Sequence, residues 1–421
     1  MIKTKILIVN PNLISTVLLI ILGCLLTGCA SHEYKSENIN NQQKQWMQSI
    51  VNYKNTVNNE DNGFLITPNS LISDEMRSIV LDKFSHLRKS EASAELARWL
   101  MSSDGHDMEY DLAADLYPID AFNQKRGNCL SFTILLVNLA NVLDIKLDYN
   151  DVHLPNTWGL DTEQQGLILF RHINAVSSNK DRTEIYDLAI EEYDYGYPQR
   201  IISEKEAIAS LHSNLATQSI QTKDYLTALH HIKYAISSFP NNPDFWVNLG
   251  VVYKKSGNDL NAENAFLHAL NLKDSDSLAA SNLEKIYRKQ NKTAKADYFK
   301  KIAHRARQKN PYMHYNLAQN YVKEKRFNLA KKSINKAKKL HNQDSRFYVL
   351  SSIIAQHNND FISATKDIQI AYSLTVSAQD RKYFSKKARL LAVKAIQNSR
   401  SSQAIQNSIL NDSGLFDSAN D

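Results

Sequence analysis

Cysteine, glycine and proline are all scarce in this chain of 421 residues, with 3, 11 and 8 copies respectively. So little glycine and proline argues against a turn-rich all-β fold and fits a mostly helical one. Three cysteines leave no room for a disulfide framework. No glycine-rich loop of the usual phosphate-binding spacing is present. Beyond Cys29, no run is long and apolar enough to span a bilayer. No close-spaced thiol and imidazole pattern marks a zinc motif, so neither a metal nor a cofactor is expected. What remains is ordinary globular material, 43% apolar and 22% charged. The length exceeds one compact core and predicts at least two domains.

Residues 1–29 carry a targeting pattern. Lys3 and Lys5 precede an apolar run from Leu13 to Leu26, which ends in Leu26-Thr27-Gly28-Cys29. The run is nearer a signal segment than the roughly 20 residues a spanning helix needs, although an uncleaved anchor is the alternative. The ending resembles the lipobox of bacterial lipoproteins. That resemblance implies cleavage before Cys29 and lipid attachment to its thiol. Ala30, rather than Asp, follows Cys29, which in Gram-negative lipoproteins implies the outer membrane. The expected location is the cell envelope, lipid-anchored and facing the periplasm. Residues 30–63 are rich in Asn, Gln, Lys, Glu and Ser and read as a flexible tether. Cys24 then leaves with the signal and Cys29 is lipidated, so the mature chain keeps one free thiol, Cys129. It is either a buried small hydrophobe or a reactive group.

Residues 64–205 read as an α+β domain. Met76, Ile79, Val80, Phe84 and Leu87 recur at helical spacing, and Ala92, Leu96, Trp99 and Leu100 continue on a second helix. Asn128 is a good helix-capping type, and Phe132, Leu135, Leu136, Leu139 and Leu143 follow it. Cys129 therefore falls in the first turn of a helix. Strands are expected over 145–152, 167–176 and 184–190, separated by Pro155, Asn156, Gly159 and Asn179.

Residues 206–396 contain an internal repeat whose phase starts fall at 209, 243, 277, 311 and 345. Alanine recurs at 228, 262, 296, 330 and 364, and again at 235, 269, 303, 337 and 371. Close helix–helix contact explains such periodic small residues. The second repeat is the fullest, with Trp246, Leu249, Gly250, Tyr253, Gly257, Ala262, Phe266 and Ala269. This pattern resembles the tetratricopeptide repeat and implies an all-α solenoid. The third repeat has Lys300 where a bulky residue is expected, which predicts poorer packing there. A capping helix is expected around Tyr383 to Ile396, and residues 397–421 read as a disordered tail.

Acyl chemistry by a thiol needs a thiolate, a base to carry the proton, and a third group to orient that base. A helix start favours the thiolate, and its N–H groups can hold an oxyanion. Taken singly, His172 reads as a satisfied core residue and Asp187 as a turn or edge residue. The stretch Arg126-Gly127-Asn128-Cys129-Leu130-Ser131-Phe132-Thr133 resembles the nucleophile motif of the bacterial transglutaminase-like superfamily, whose fold is papain-like. Arg171-His172-Ile173-Asn174 resembles its histidine motif. Tyr186-Asp187-Leu188, with Glu191-Glu192-Tyr193, resembles its aspartate motif. The resemblance implies Cys129 as nucleophile, His172 as general base and acid, and Asp187 as the orienting carboxylate. His153 and Asp194 are the substitutes.

The expected architecture is thus a papain-like/transglutaminase-like α+β domain followed by a tetratricopeptide solenoid. Between Lys285 and Arg346 there are 19 Lys plus Arg and only three acids, a surplus of 16 positive charges. Such a face can bind an acidic protein, an anionic lipid surface or a polyanion, or can simply be solvated. Export disfavours nucleic acid as a partner. Three functions stay open. The first is a cysteine amidase or protease acting on a peptide or protein, with the repeats recruiting substrate or partner. The others are a transamidase and a non-catalytic adaptor with a relic domain.

Overall fold

The structure is a computed structural model that describes residues 41–53, 71–152, 172–179, 182–188, 199–273, 276–375 and 378–413. The lipobox Cys29, the signal segment, His153 and Asp194 lie outside the described residues. The chain forms two compact units, one ending at Val57 and one beginning at Asn58. In the first, helix α1 (Asn41–Val51) stands where a flexible tether is expected. Its sequence has no Gly or Pro and is rich in Gln, which tolerates the helix well.

In the second unit, Ser73 caps α2 (Asp74–Phe84) by accepting from the Met76 N–H at 3.2 Å. Helix α3 (Lys89–Met101) follows. A two-residue strand β1 (Glu109–Tyr110) runs parallel to β2 (Arg126–Gly127), with α4 (Pro118–Gln124) between them. Helix α5 (Cys129–Val142) buries 11 of its 14 residues. A helix that is apolar on nearly every side must be covered on every side. Met76 and Val80 of α2, Leu96 and Leu100 of α3, and Ile173 and Ala175 of the sheet share its core.

The sheet contains β3 (Asp148–Val152), β4 (His172–Asn179), β5 (Arg182–Tyr186) and β6 (Gln199–Ile202). Its order is β5-β4-β3-β6, and all pairs are antiparallel. Three strands occur near the expected places, but β4 runs on to Asn179 and β5 starts earlier and ends at Tyr186. Strand β6 has no counterpart among the expected strands. Three of its four residues are exposed, so it lacks an apolar alternation to read.

Among the described residues, ten helices then form five antiparallel pairs. They are α6 (Glu204–Gln221) with α7 (Tyr225–Ser238), α8 (Pro243–Lys255) with α9 (Asp259–Leu272), and α10 (Ser277–Lys289) with α11 (Thr293–Gln308). The last two pairs are α12 (Pro311–Lys323) with α13 (Phe327–Leu340), and α14 (Ser345–His357) with α15 (Phe361–Leu374). All ten periodic alanines are 0% exposed, which is the close contact their spacing predicts. Gly250 has the same cause, since a Cβ there would sit 2.5 Å from the Phe266 ring. In the third repeat Lys300 is exposed, while its neighbour Phe299 is buried and stacks on Tyr287 at 5.4 Å.

A second periodicity lies in the backbone. Lys223, Gly257, Asn291, Lys325 and Asn359 all have positive φ, and they recur at the repeat interval, at the bend inside each pair. The last helix, α16 (Ala378–Ser413), continues into the stretch expected to be a disordered tail. No Gly or Pro interrupts the chain from Ala378 until Gly414.

The array is not a separate body appended at residue 206. Ala207 and Leu211 of α6 are 0% exposed within the same core as α5.

Two substitutions test this packing by urea denaturation. Gly250→Ala is expected to lower stability by about 1–3 kcal/mol through overpacking against Phe266. Lys325→Gly is expected to raise it by about 0.5 kcal/mol, because glycine takes a left-handed backbone without the Cβ clash.

Candidate active site

Helix α5 begins at Asn128 for a local reason. The Asn128 Oδ1 accepts from the Ser131 N–H at 3.0 Å, satisfying one of the unpaired donors of the first turn. Cys129 is therefore the first helical residue, as its sequence context predicts. Its thiol is reduced and buried. The Thr133 hydroxyl, one turn on, lies 2.6 Å from the Cys129 carbonyl and 2.9 Å from the Ile173 carbonyl. This pins the start of α5 to β4 beside His172.

The register of the sheet does the rest. Ala175 of β4 faces Tyr186 of β5, so Asp187 leaves β5 opposite the start of β4. There the His172 Nε2 is in direct contact with the Asp187 Oδ2. The Asn174 Nδ2 donates to the same oxygen at 3.3 Å, and the Asn150 Nδ2 donates to the Asn174 Oδ1 at 3.0 Å. The sheet thus holds the carboxylate with a row of amides. A ring nitrogen of His172, the Cys129 Sγ and an Asp187 oxygen all lie within 4.8 Å of one another. All three residues are buried, at 6%, 5% and 4% exposure for Cys129, His172 and Asp187. Burial strengthens their mutual electrostatics.

The contact of Nε2 with Asp187 fixes the orientation of the His172 ring beside the thiol. A thiol, an imidazole and a carboxylate this close also form a donor set of the kind that holds zinc. The sequence gives no reason to expect a metal, since spacing along the chain does not show this proximity.

Sequence reasoning misses Asp115. This buried carboxylate accepts from the Asn128 Nδ2 at 2.6 Å and from the Asn214 Nδ2 of α6 at 2.9 Å. Burial pushes its carboxyl up from the ordinary range, and the two amides pull it partly back. No local signal marks it, because its partners stand 13 and 99 residues away. Between α5 and the first two repeats lies a shallow open depression of about 20 Å³. Leu130, the neighbour of Cys129, lines it together with Ser213, Asn214, Asp244, Phe245 and Asn248.

Comparison with known proteins bears on the helical half. Residues 243–276 and 311–344 match the family described as "Tetratricopeptide repeat". The chain carries tetratricopeptide repeats. No curated protein matches the sequence. Similar solved structures include residues 41 to the end of MamA from Desulfovibrio magneticus RS-1, at 16% identity and a TM-score of 0.23, covering 41% of this chain and 96% of that one. Pseudomonas aeruginosa PilF has 13% identity and a TM-score of 0.24, covering 52% and 96%. Yeast Tom70 has 12% identity and a TM-score of 0.28, covering 88% and 76%. Scores this low carry no argument about the shape of this chain. Tetratricopeptide arrays generally mediate binding of protein partners.

The site geometry makes a measurable claim. Alkylation of Cys129 by iodoacetamide at pH 6.5, followed on its own peptide by mass spectrometry, is expected to slow about a hundredfold in His172→Ala, the gap between a stabilised thiolate and an ordinary thiol. Asn174→Ala is expected to slow it only a few-fold, since it removes one of the groups that hold Asp187.

Proposed function

We propose that this chain is a protein-recruiting scaffold that carries a cysteine-dependent amide-processing centre at its α+β end. The single observation behind the chemistry is the gathering of Cys129, His172 and Asp187 within 4.8 Å from three separate elements. The transglutaminase-like motifs around the same residues favour the same roles. In this reading the Cys129 thiolate attacks the carbonyl carbon of an amide, and the backbone N–H groups at the start of α5 receive the oxyanion. The imidazolium of His172 then gives its proton to the leaving amine, and the C–N bond breaks. A thioester remains on Sγ. His172 next takes a proton from water, the hydroxide adds to the thioester carbonyl, and the thiolate leaves with a free carboxylic acid as product. Asp187 keeps the ring oriented and balances its charge throughout. If a second amine replaces water, the same thioester yields a transamidated product.

The tetratricopeptide repeats favour a second reading, that of a non-catalytic adaptor, and the family match supports this reading more directly than it supports a protease. The charge surplus of residues 285–346 points to an acidic protein as the partner held there. Lys254 illustrates the local field. It is half-buried, its Nζ donates to the Asn282 Oδ1 at 3.2 Å, and its ammonium is pushed down to about 8 by burial, then by Lys285 and other nearby lysines. An acidic partner would relieve that repulsion. The lipobox-like segment supports attachment of the chain to an envelope membrane, with its folded part facing the periplasm.

The deciding experiment incubates the chain with a pooled synthetic peptide library containing Gln and Asn, with and without methylamine. Wild type is compared with Cys129→Ala by mass spectrometry. Peptides that exchange ammonia for water, or are cut at a backbone amide with uptake of water, only with wild type support the hydrolase, and peptides that exchange ammonia for methylamine support the transamidase. Identical spectra for wild type and Cys129→Ala overturn catalysis and leave the adaptor.

A further inference from the structure

The α+β domain and the repeat array share more than a core. Asp115 is the joint. Its Oδ1 accepts from the amide of Asn128 at 2.6 Å and from the amide of Asn214 on α6 at 2.9 Å, so a single oxygen joins the two elements. Asn128 is the residue that starts α5 and sets where Cys129 stands. The loop carrying Asp115 is tied to the same helix start at further points. The Asn128 N–H donates to the Ala114 carbonyl at 3.1 Å. The Ser131 hydroxyl accepts from the Leu116 N–H at 2.9 Å and donates to the Ala114 carbonyl at 3.2 Å. On the array side, the Gln218 Nε2 donates to the Ala113 carbonyl at 3.0 Å.

We infer that Asp115 and Asn214 are positioning residues for Cys129, so that the first tetratricopeptide helix is a working part of the cysteine site. The inference rests on the reading of Cys129 as a nucleophile given above. Its physical basis is the directionality of the two hydrogen bonds. Asn128 has one side-chain oxygen and one amide nitrogen. The nitrogen is held by Asp115, which leaves the oxygen aimed at the Ser131 N–H. Were Asp115 not fixed from the array side, the amide of Asn128 would lose its anchor, and with it the geometry of the first turn of α5. The orientation of the thiol toward His172 depends on that turn. Asn214 also lines the shallow depression between α5 and the first two repeats, together with Leu130, the neighbour of Cys129. The joint therefore gives the array a physical route to the thiol.

The donor and acceptor roles supply a rescue test. Asp115→Ala removes the shared acceptor, and Asn214→Asp sets two carboxylates together. Asp115→Asn keeps a side-chain oxygen where Oδ1 stands, able to accept from both Asn128 and Asn214, and so separates the shared acceptor from the charge. The full chain is alkylated with iodoacetamide at pH 6.5, Cys129 is read by peptide mass spectrometry, and urea midpoints are measured in parallel. Asp115→Ala and Asn214→Asp are each expected to slow alkylation by about ten- to a hundredfold, the scale on which misplacement of a reacting group is felt. Asp115→Asn is expected to keep most of the wild-type rate. Gln218→Ala loosens the same joint without touching Asp115 and should leave the rate near that of wild type. A rate that simply follows the urea midpoint across all four variants overturns the inference, as does an Asp115→Asn variant that is folded yet as slow as Asp115→Ala. His172→Ala, measured beside them, reports on the thiol–imidazole reading itself. A rate that responds to His172 but not to Asn214 overturns this inference alone, and one that responds to neither overturns both.

Discussion

Everything about the site follows from the need to cover helix α5. Its sequence is apolar around nearly its whole circumference, so no face can be left to water. The sheet covers one side, α2 and α3 cover another, and α6 supplies Ala207 and Leu211. Once the helix is enclosed in this way, its first turn has nowhere to go but against β4. Cys129 then meets His172 because both stand at the ends of elements that the core has locked together.

The same constraint explains why the site is polar in so ordered a fashion. A buried helix start and a buried carboxylate each demand hydrogen-bond partners. Asn128 and Ser131 meet the first demand. Asn174 and Asn150, passing amides across the sheet, help meet the second. Such a network leaves little freedom to the side chains it holds, which is what orienting an imidazole against a thiol requires.

The array obeys a simpler rule, in which small residues recur wherever two helices touch. The ten periodic alanines and Gly250 set how close the helices come. The left-handed residue at each bend, from Lys223 to Asn359, sets where one helix of a pair ends and the next begins. Only one of these five bends uses glycine. The bend position is therefore a matter of spacing rather than of residue type, and composition alone hides it.

The repeats were legible in the sequence because their cause is local and periodic. An alanine that returns at a fixed interval records a contact that is made again in each pair. Asn128 was legible as a cap for the same reason, since a cap is settled within one turn of the chain. The burial of Phe299 beside an exposed Lys300, and the continuation of α16 past residue 396, show the limits of reading position by position. That Cys129, His172 and Asp187 meet was decided only in three dimensions, by the register of β4 against β5 and by the Thr133 bond to Ile173. Asp115 was invisible for the deepest reason. Its role comes from partners 13 and 99 residues away, and an interaction between distant parts of a chain leaves no spacing in the sequence to find.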